Sequence, residues 1–241
     1  YALDVREAVR DADAIVVCVP VQAIVPLVRE MLPAVSSGCL ITDVGSVKKP
    51  LVREIESCLP PSVRFVGSHP IAGGEQSGVE ASDPDLFQGA QCIVTPTAAT
   101  DAQALQRIVH LWTEVGMEVV EMDADEHDRV FGAVSHLPHV IAFALMNTIG
   151  AVKTKNYPDV STFSGGGLKD ITRIASSHPV MWRDICLTNK EPILHLIDQF
   201  QETLNRIRTG IDRDDAAGLE KEFETANRYR LNLTIMNDYR D

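Results

Sequence analysis

Four short stretches carry the residues best suited to chemistry. In Gly67-Ser68-His69-Pro70-Ile71-Ala72-Gly73-Gly74-Glu75-Gln76-Ser77-Gly78 an imidazole lies among glycines where a strand is expected to end. Imidazole titrates near neutrality, so His69 can act as a base toward a ligand held beyond the strand ends. Glu75 reads either as a second functional charge or as a solvated loop carboxylate. Upstream, Val19-Pro20 closes one expected strand, and Asp43-Val44-Gly45-Ser46-Val47-Lys48 closes the next. There Ser46 is either the cap of the following helix or a functional hydroxyl, and Asp43 either forms a turn or faces a ligand.

Two further stretches lie in the second half. Ser135-His136-Leu137-Pro138-His139 falls inside an apolar helical pattern from Val130 to Ile149. His136 and His139 share a helix face. No His-Glu-x-x-His pattern occurs and no carboxylate or cysteine completes a ligand set, so zinc is not expected. A polar pair on such a helix implies either a substrate pocket or buried hydrogen bonds. The segment Gly165 to Asp184, GGGLKDITRIASSHPVMWRD, holds Asp170, Arg173 and Trp182. Arginine grips a carboxylate with two parallel hydrogen bonds, although taken alone Asp170 and Arg173 also suit a surface ion pair and Trp182 a core position.

The elements that must position these residues change character along the chain. Ala14 to Val19, Leu40 to Asp43, Arg64 to Gly67, Gln91 to Thr95 and Glu118 to Glu121 are apolar, β-branched runs expected to be strands. Val21 to Leu32, Lys48 to Leu59 and Asp101 to Gly116 are expected helices between them, which predicts a mostly parallel α/β sheet covered on both faces. After Met122 the strand signal stops and the pattern is all helical. Domains are thus expected over 1–122 and 123–241. The stripe Ile193, Ile197, Phe200, Leu204 and Ile207 follows helical spacing, and a second stripe, Leu219, Phe223 and Ala226, follows it. Helices with one apolar face need a partner helix, which suggests dimerisation.

A net charge of -12 and a pI near 5.0 oppose general binding to nucleic acid or anionic membranes. An anionic ligand therefore needs a local pocket. No apolar run is expected to cross a bilayer, the longest candidate near Val140 to Met146 being too short. Five widely spaced cysteines, without a Cys-x-x-Cys pair, read as buried free thiols in a reducing cytoplasm. Neither Gly165-Gly166-Gly167 nor Gly73 to Gly78 fits a phosphate-binding loop. The glycine-rich turn of a dinucleotide-binding domain is thus not found, and either it lies upstream of Tyr1 or the protein has lost its grip on pyrophosphate.

Taken together and in order, TDVGSVK, GSHPIAGGEQSG, VSHLPH and GGGLKDITRIASSHPVMWRDI closely resemble the prephenate/arogenate dehydrogenases of tyrosine biosynthesis. The resemblance covers nearly the whole chain. It implies an α/β dinucleotide-binding domain, Rossmann-like and truncated, followed by an all-α dimerisation domain. It also implies NAD or NADP as cofactor, prephenate or arogenate as substrate, tyrosine as a feedback inhibitor, and a homodimer. By the same resemblance His69 is the catalytic histidine and Ser46 the serine that orients it. His139 and His136 contact substrate, Arg173 holds a substrate carboxylate, Glu75 and Asp170 form an ionic gate around it, and Trp182 lies near the pocket. Val19, Pro20, Asp43 and Gly45 are expected on the cofactor side, and Asp128 is expected to reach the neighbouring subunit's site. A non-catalytic dimerisation or tyrosine-binding module is the alternative.

Overall fold

A computed structural model of the chain describes residues 1–74, 78 and 82–238. Glu75 lies outside the described residues, so its expected role is not taken further. A short helix α1 (Val5–Ala8), capped by Asp4, precedes strand β1 (Ala14–Val17), helix α2 (Val21–Met31), β2 (Leu40–Asp43) and α3 (Lys49–Cys58). Then come β3 (Arg64–Pro70), β4 (Gln91–Thr95), α4 (Ala102–Glu114) and β5 (Glu118–Glu121). The five strands lie in sequential order. Only the β3–β4 pairing is antiparallel, so the sheet is mostly parallel, as the α/β rhythm predicts.

Alternation along the central strands feeds two cores. Ile41 and Phe65 join one with the apolar faces of α2 and α3, while Leu40 and Val66 join the other with α4. On α2 the buried positions Val21, Ile24, Val25, Val28 and Met31 recur at helical spacing. Coverage of both faces stops at β1, where Val17 is buried but Ala14 and Val16 are exposed. Cys39 and Cys92 are buried, whereas Cys18, also expected inside, is exposed.

Two strand boundaries differ from expectation. β1 ends at Val17, leaving Val19 and Pro20 beyond it, with Pro20 at the cap position of α2. β3 continues past Gly67, because its last residues find a partner in β4: Gly67 faces Thr95, His69 faces Ile93 and Pro70 faces Cys92. Gly67 is needed there, since a Cβ would stand 2.6 Å from Thr95 Oγ1 and 2.9 Å from Val52 Cγ2.

Helix α5 (Ala124–Phe131) starts at Asp123, whose carboxylate accepts from the Asp125 and Glu126 amides. It runs through a π-helical turn (Gly132–His136) into α6 (Leu137–Ala151). This continuous helix, Ala124–Ala151, is long and apolar enough to cross a membrane by length and composition alone, which corrects the expectation that no such segment exists. Its first turns face inward instead, burying Ala124, His127, Asp128 and Phe131. A 3-10 turn (Val160–Phe163), α7 (Gly166–Thr172), a second 3-10 turn (Arg173–Ser176) and α8 (Pro179–Thr188) follow.

Residues 1–193 form one compact unit and 194–241 a second, which is built from most of α9 (Lys190–Asp212) and all of α10 (Ala216–Asp238). In the second unit Leu219 packs so close to Gly210 that a Cβ there would lie 2.9 Å from Leu219 Cδ2, and Arg206 pairs with Glu222 at 2.8 Å.

Candidate active site

The base of the site is a buried clamp on Ser68. Asp43, at the end of β2, accepts from the Gly45 amide at 2.9 Å through Oδ2 and from the Ser68 amide at 3.2 Å through Oδ1. The Lys48 ammonium pairs with Asp43 and donates to the Ser68 carbonyl oxygen at 2.7 Å. Both side chains are fully buried. Burial pulls the Lys48 pKa down while Asp43 opposes the shift. The Ser68 hydroxyl is bonded to Thr42 and accepts from Trp112 Nε1 at 3.0 Å. Asp43 is therefore not a solvated turn residue, because its oxygens serve the interior. Gly45 has a packing role too: a Cβ would meet Ile24 Cδ1 at 2.8 Å and Asp43 Oδ2 at 2.9 Å.

With its preceding peptide fixed, His69 projects from the last turn of β3 into a row of polar side chains. Its Nδ1 is 2.8 Å from His127 Nε2, and His127 Nδ1 is 2.8 Å from Asp128 Oδ1. Phe131 packs edge-on against the His69 ring with centroids 4.9 Å apart. Burial and the nearby His127, Lys48 and His136 hold His69 well below the usual imidazole range, so the ring is neutral at pH 7. His127 is lowered chiefly by burial, with Asp128 opposing.

Asp128 also caps α3. Its Oδ1 accepts from the Lys48 amide at 2.7 Å and its Oδ2 from the Lys49 amide at 2.9 Å, across 80 residues of sequence. A carboxylate at a helix N-terminus satisfies otherwise orphaned N–H groups and opposes the positive end of the dipole. Of the two readings of Ser46, the cap is not met: Lys48 holds the N-cap position of α3 and makes no side-chain cap bond. Asp128 is 2% exposed, and its bonds turn it into its own chain, where the expectation had it reach a neighbouring subunit's site.

From Asp128 the network continues to the other histidines. Asn189 Nδ2 donates to the Asp128 carbonyl oxygen at 2.8 Å and to His136 Nδ1 at 2.9 Å. His136 also hydrogen-bonds the main chain of Ser46, and burial pushes its pKa down to about 4. At 1% exposure it is enclosed within the chain, where the expectation made it a substrate contact. His139 is half-buried and anchored by the Ser135 carbonyl oxygen at 2.9 Å. It stacks on the Trp182 indole at 3.6 Å between centroids, while His136 meets the same indole edge-on at 6.0 Å. Trp182 is buried, and its Nε1 has no hydrogen-bond partner among the described residues. Asp170 ends near the C-terminus of α7, and Arg173 opens the 3-10 turn that packs on α6, the helix carrying His139. Both are exposed.

The sequence reading thus missed His127, Lys48 and Asn189 and misplaced Asp128. The signal for the helix pair was present: His127 and Asp128 share the stripe Ala124, His127, Asp128, Phe131 behind an Asp123 cap.

A nucleotide-type α/β sheet joined to helices, with a neutral histidine at a strand end beside them, is the plan of a two-domain oxidoreductase. Residues 2–121 match the prephenate dehydrogenase nucleotide-binding domain and residues 123–225 the prephenate dehydrogenase dimerization domain. The chain belongs to the prephenate dehydrogenase family, as its motifs suggested. It is 38% identical over 237 residues to a cyclohexadienyl dehydrogenase of Zymomonas mobilis, covering 98% of this chain and 80% of that protein. It is 39% identical over 228 residues to a prephenate dehydrogenase of Bacillus subtilis, covering 94% of this chain and 61% of that one. A crystal structure of Aquifex aeolicus prephenate dehydrogenase with hydroxyphenyl propionate and NAD+ superposes with a TM-score of 0.85 at 40% identity, over 92% of this chain and 76% of the other.

Proposed function

We propose that this chain carries out the oxidative decarboxylation of prephenate to 4-hydroxyphenylpyruvate, of arogenate to tyrosine, or of both, with NAD or NADP. The observation that carries the reading is a neutral, half-buried His69 whose Nε2 has no partner among the described residues, packed on the continuous helix that further along bears His139 and on which the 3-10 turn of Arg173 also packs. Such a nitrogen can accept the ring-hydroxyl proton of a cyclohexadienol. The guanidinium of Arg173 suits the side-chain carboxylate, which matters because a chain of net charge -12 repels a dianionic substrate at long range. His139, held by Ser135 and flat on Trp182, offers a pre-oriented polar edge to the ring.

When bound, the nicotinamide supplies the hydride acceptor. The residues at the ends of β1 and β2 fit that role, since half-buried Val19 and Ser46 and exposed Pro20 leave accessible surface there while Asp43 and Lys48 are sealed below it. His69 takes the hydroxyl proton as the carbinol C–H bond breaks. The ketone that forms draws electrons through the ring, and the ring carboxylate leaves as carbon dioxide, restoring aromaticity. The protein's contribution is a base, a cation and alignment.

Self-association belongs to the same reading. α6 is apolar around its circumference, yet Ala142 is its one buried residue, and such a helix requires cover from another surface. A second copy of the chain provides it. Tyrosine, which shares the product's ring and the amino acid side chain of arogenate, is the inhibitor that the same residues would accept.

The experiment is an assay of nucleotide reduction with prephenate and arogenate, each with NAD and NADP. Reduction that depends on one of the two acids supports the reading; none with any of the four combinations overturns it.

A further inference from the structure

His127 lies between the proposed base and a buried carboxylate, and the hydrogen-bond inventory of the three groups permits one arrangement when both rings are neutral. Asp128 can only accept when ionised, and its oxygens already receive the Lys48 and Lys49 amides. The His127 nitrogen facing it, Nδ1, must therefore carry a hydrogen. A neutral imidazole has one N–H, so His127 Nε2 is left as an acceptor. The group 2.8 Å away is His69 Nδ1, which must then be a donor. This leaves the lone pair of His69 on Nε2.

We propose that His127, backed by Asp128, is a positioning residue that holds His69 in the Nδ1–H tautomer and so presents Nε2 as the basic nitrogen in the reaction proposed above. The assignment rests on that functional reading for its catalytic consequence but not for the tautomer itself. Protonation of His127 reverses the arrangement: its Nε2–H then donates to His69 Nδ1, and His69 must carry its own hydrogen on Nε2, where it cannot accept one. Among the described residues, the charged or titratable groups around the two rings are Asp128 from α5, Asp43 at the end of β2, Lys48 before α3, Cys92 from β4, whose thiol bonds the His69 main chain, and His136 from the π-helical turn. The first sits in direct contact with His127, and Phe131 walls the apolar side of both rings. Burial favours neutral rings in this setting, so the productive tautomer prevails at neutral pH and fails on the acid side.

Two measurements test it. Nitrogen-15 NMR of histidine-labelled protein reads the tautomer without substrate: His69 is expected to show a protonated Nδ1 and an unprotonated Nε2, and the opposite pattern overturns the proposal even if the enzyme is active. His127→Leu, which removes the acceptor, should lose the tautomer preference, lower kcat on the order of 100-fold and leave KM nearly unchanged. His127→Gln, whose amide can accept from His69 and donate to Asp128, should recover most of that loss and shift the acid limb of the pH profile. If His127→Leu keeps both tautomer and kcat, the proposal is wrong. Wild-type protein that shows the tautomer but reduces no nucleotide with either acid overturns the functional reading and leaves the tautomer assignment standing. Should His127→Leu fail to fold, the wild-type spectrum and the Gln variant decide.

Discussion

Lys48 and Asp43 form an ion pair with no solvent exposure on either side chain, and together they hold both backbone groups of Ser68, the residue before the proposed base. The pair thus controls where β3 delivers its imidazole. Removing one partner leaves an uncompensated buried charge.

Lys48→Met is accordingly expected to destabilise the fold by about 3 to 5 kcal/mol. Combined with Asp43→Asn it should cost less than the sum of the two single changes, because no lone charge then remains inside. Urea unfolding of the three variants measures this, and strict additivity would contradict the coupling.

His69→Asn should lower kcat by roughly 100- to 10,000-fold, the usual contribution of a general base, with little change in KM. Steady-state kinetics on prephenate and arogenate check it. A kcat within a factor of about two of wild type would remove His69 from the mechanism.

Arg173→Gln acts on binding. Loss of a charge-assisted carboxylate grip, about 1.5 to 3 kcal/mol, predicts a KM raised roughly 10- to 150-fold with kcat largely retained. An unaltered KM would assign the carboxylate to another residue.

Stability should fall on acidification. His69, His127 and His136 all have folded-state pKa values below that of an unfolded imidazole, so the unfolded chain binds more protons between those values. The stability is fully present above pH 6.5 and is lost as pH drops from there toward about 4, the His136 value. His136 alone accounts for about 3 kcal/mol over that span. Thermal unfolding from pH 7 to pH 4 tests this, and a flat profile in wild type, or an unchanged slope in His136→Gln, would contradict it.

The sheet was legible because alternating β-branched runs bounded by turn residues have a local cause. β2, β4 and β5 begin and end where their apolar runs do. β3 did not, since Gly67-Ser68-His69-Pro70 reads locally as a loop and becomes strand only through an antiparallel neighbour more than twenty residues away. Site residues divide the same way. His69, His139 and Trp182 stood out by motif, whereas His127 and Asp128 were hidden in Asp123-Ala124-Asp125-Glu126-His127-Asp128, an acidic run that resembles a solvated helix start. Their burial depends on α3 and β3 arriving from elsewhere in the chain. The cap reading of Ser46, one of its two alternatives, is not met for a related reason: a distant carboxylate occupies the amides it would have served.

The bonds from Asp128 to α3 tie the region after residue 122 to the sheet before it. Any swing about that junction would strip two amides of their acceptor and part the paired imidazoles in one movement. Parting α5 from α3 and parting the two imidazoles are therefore one event, because both contacts lie along the same seam.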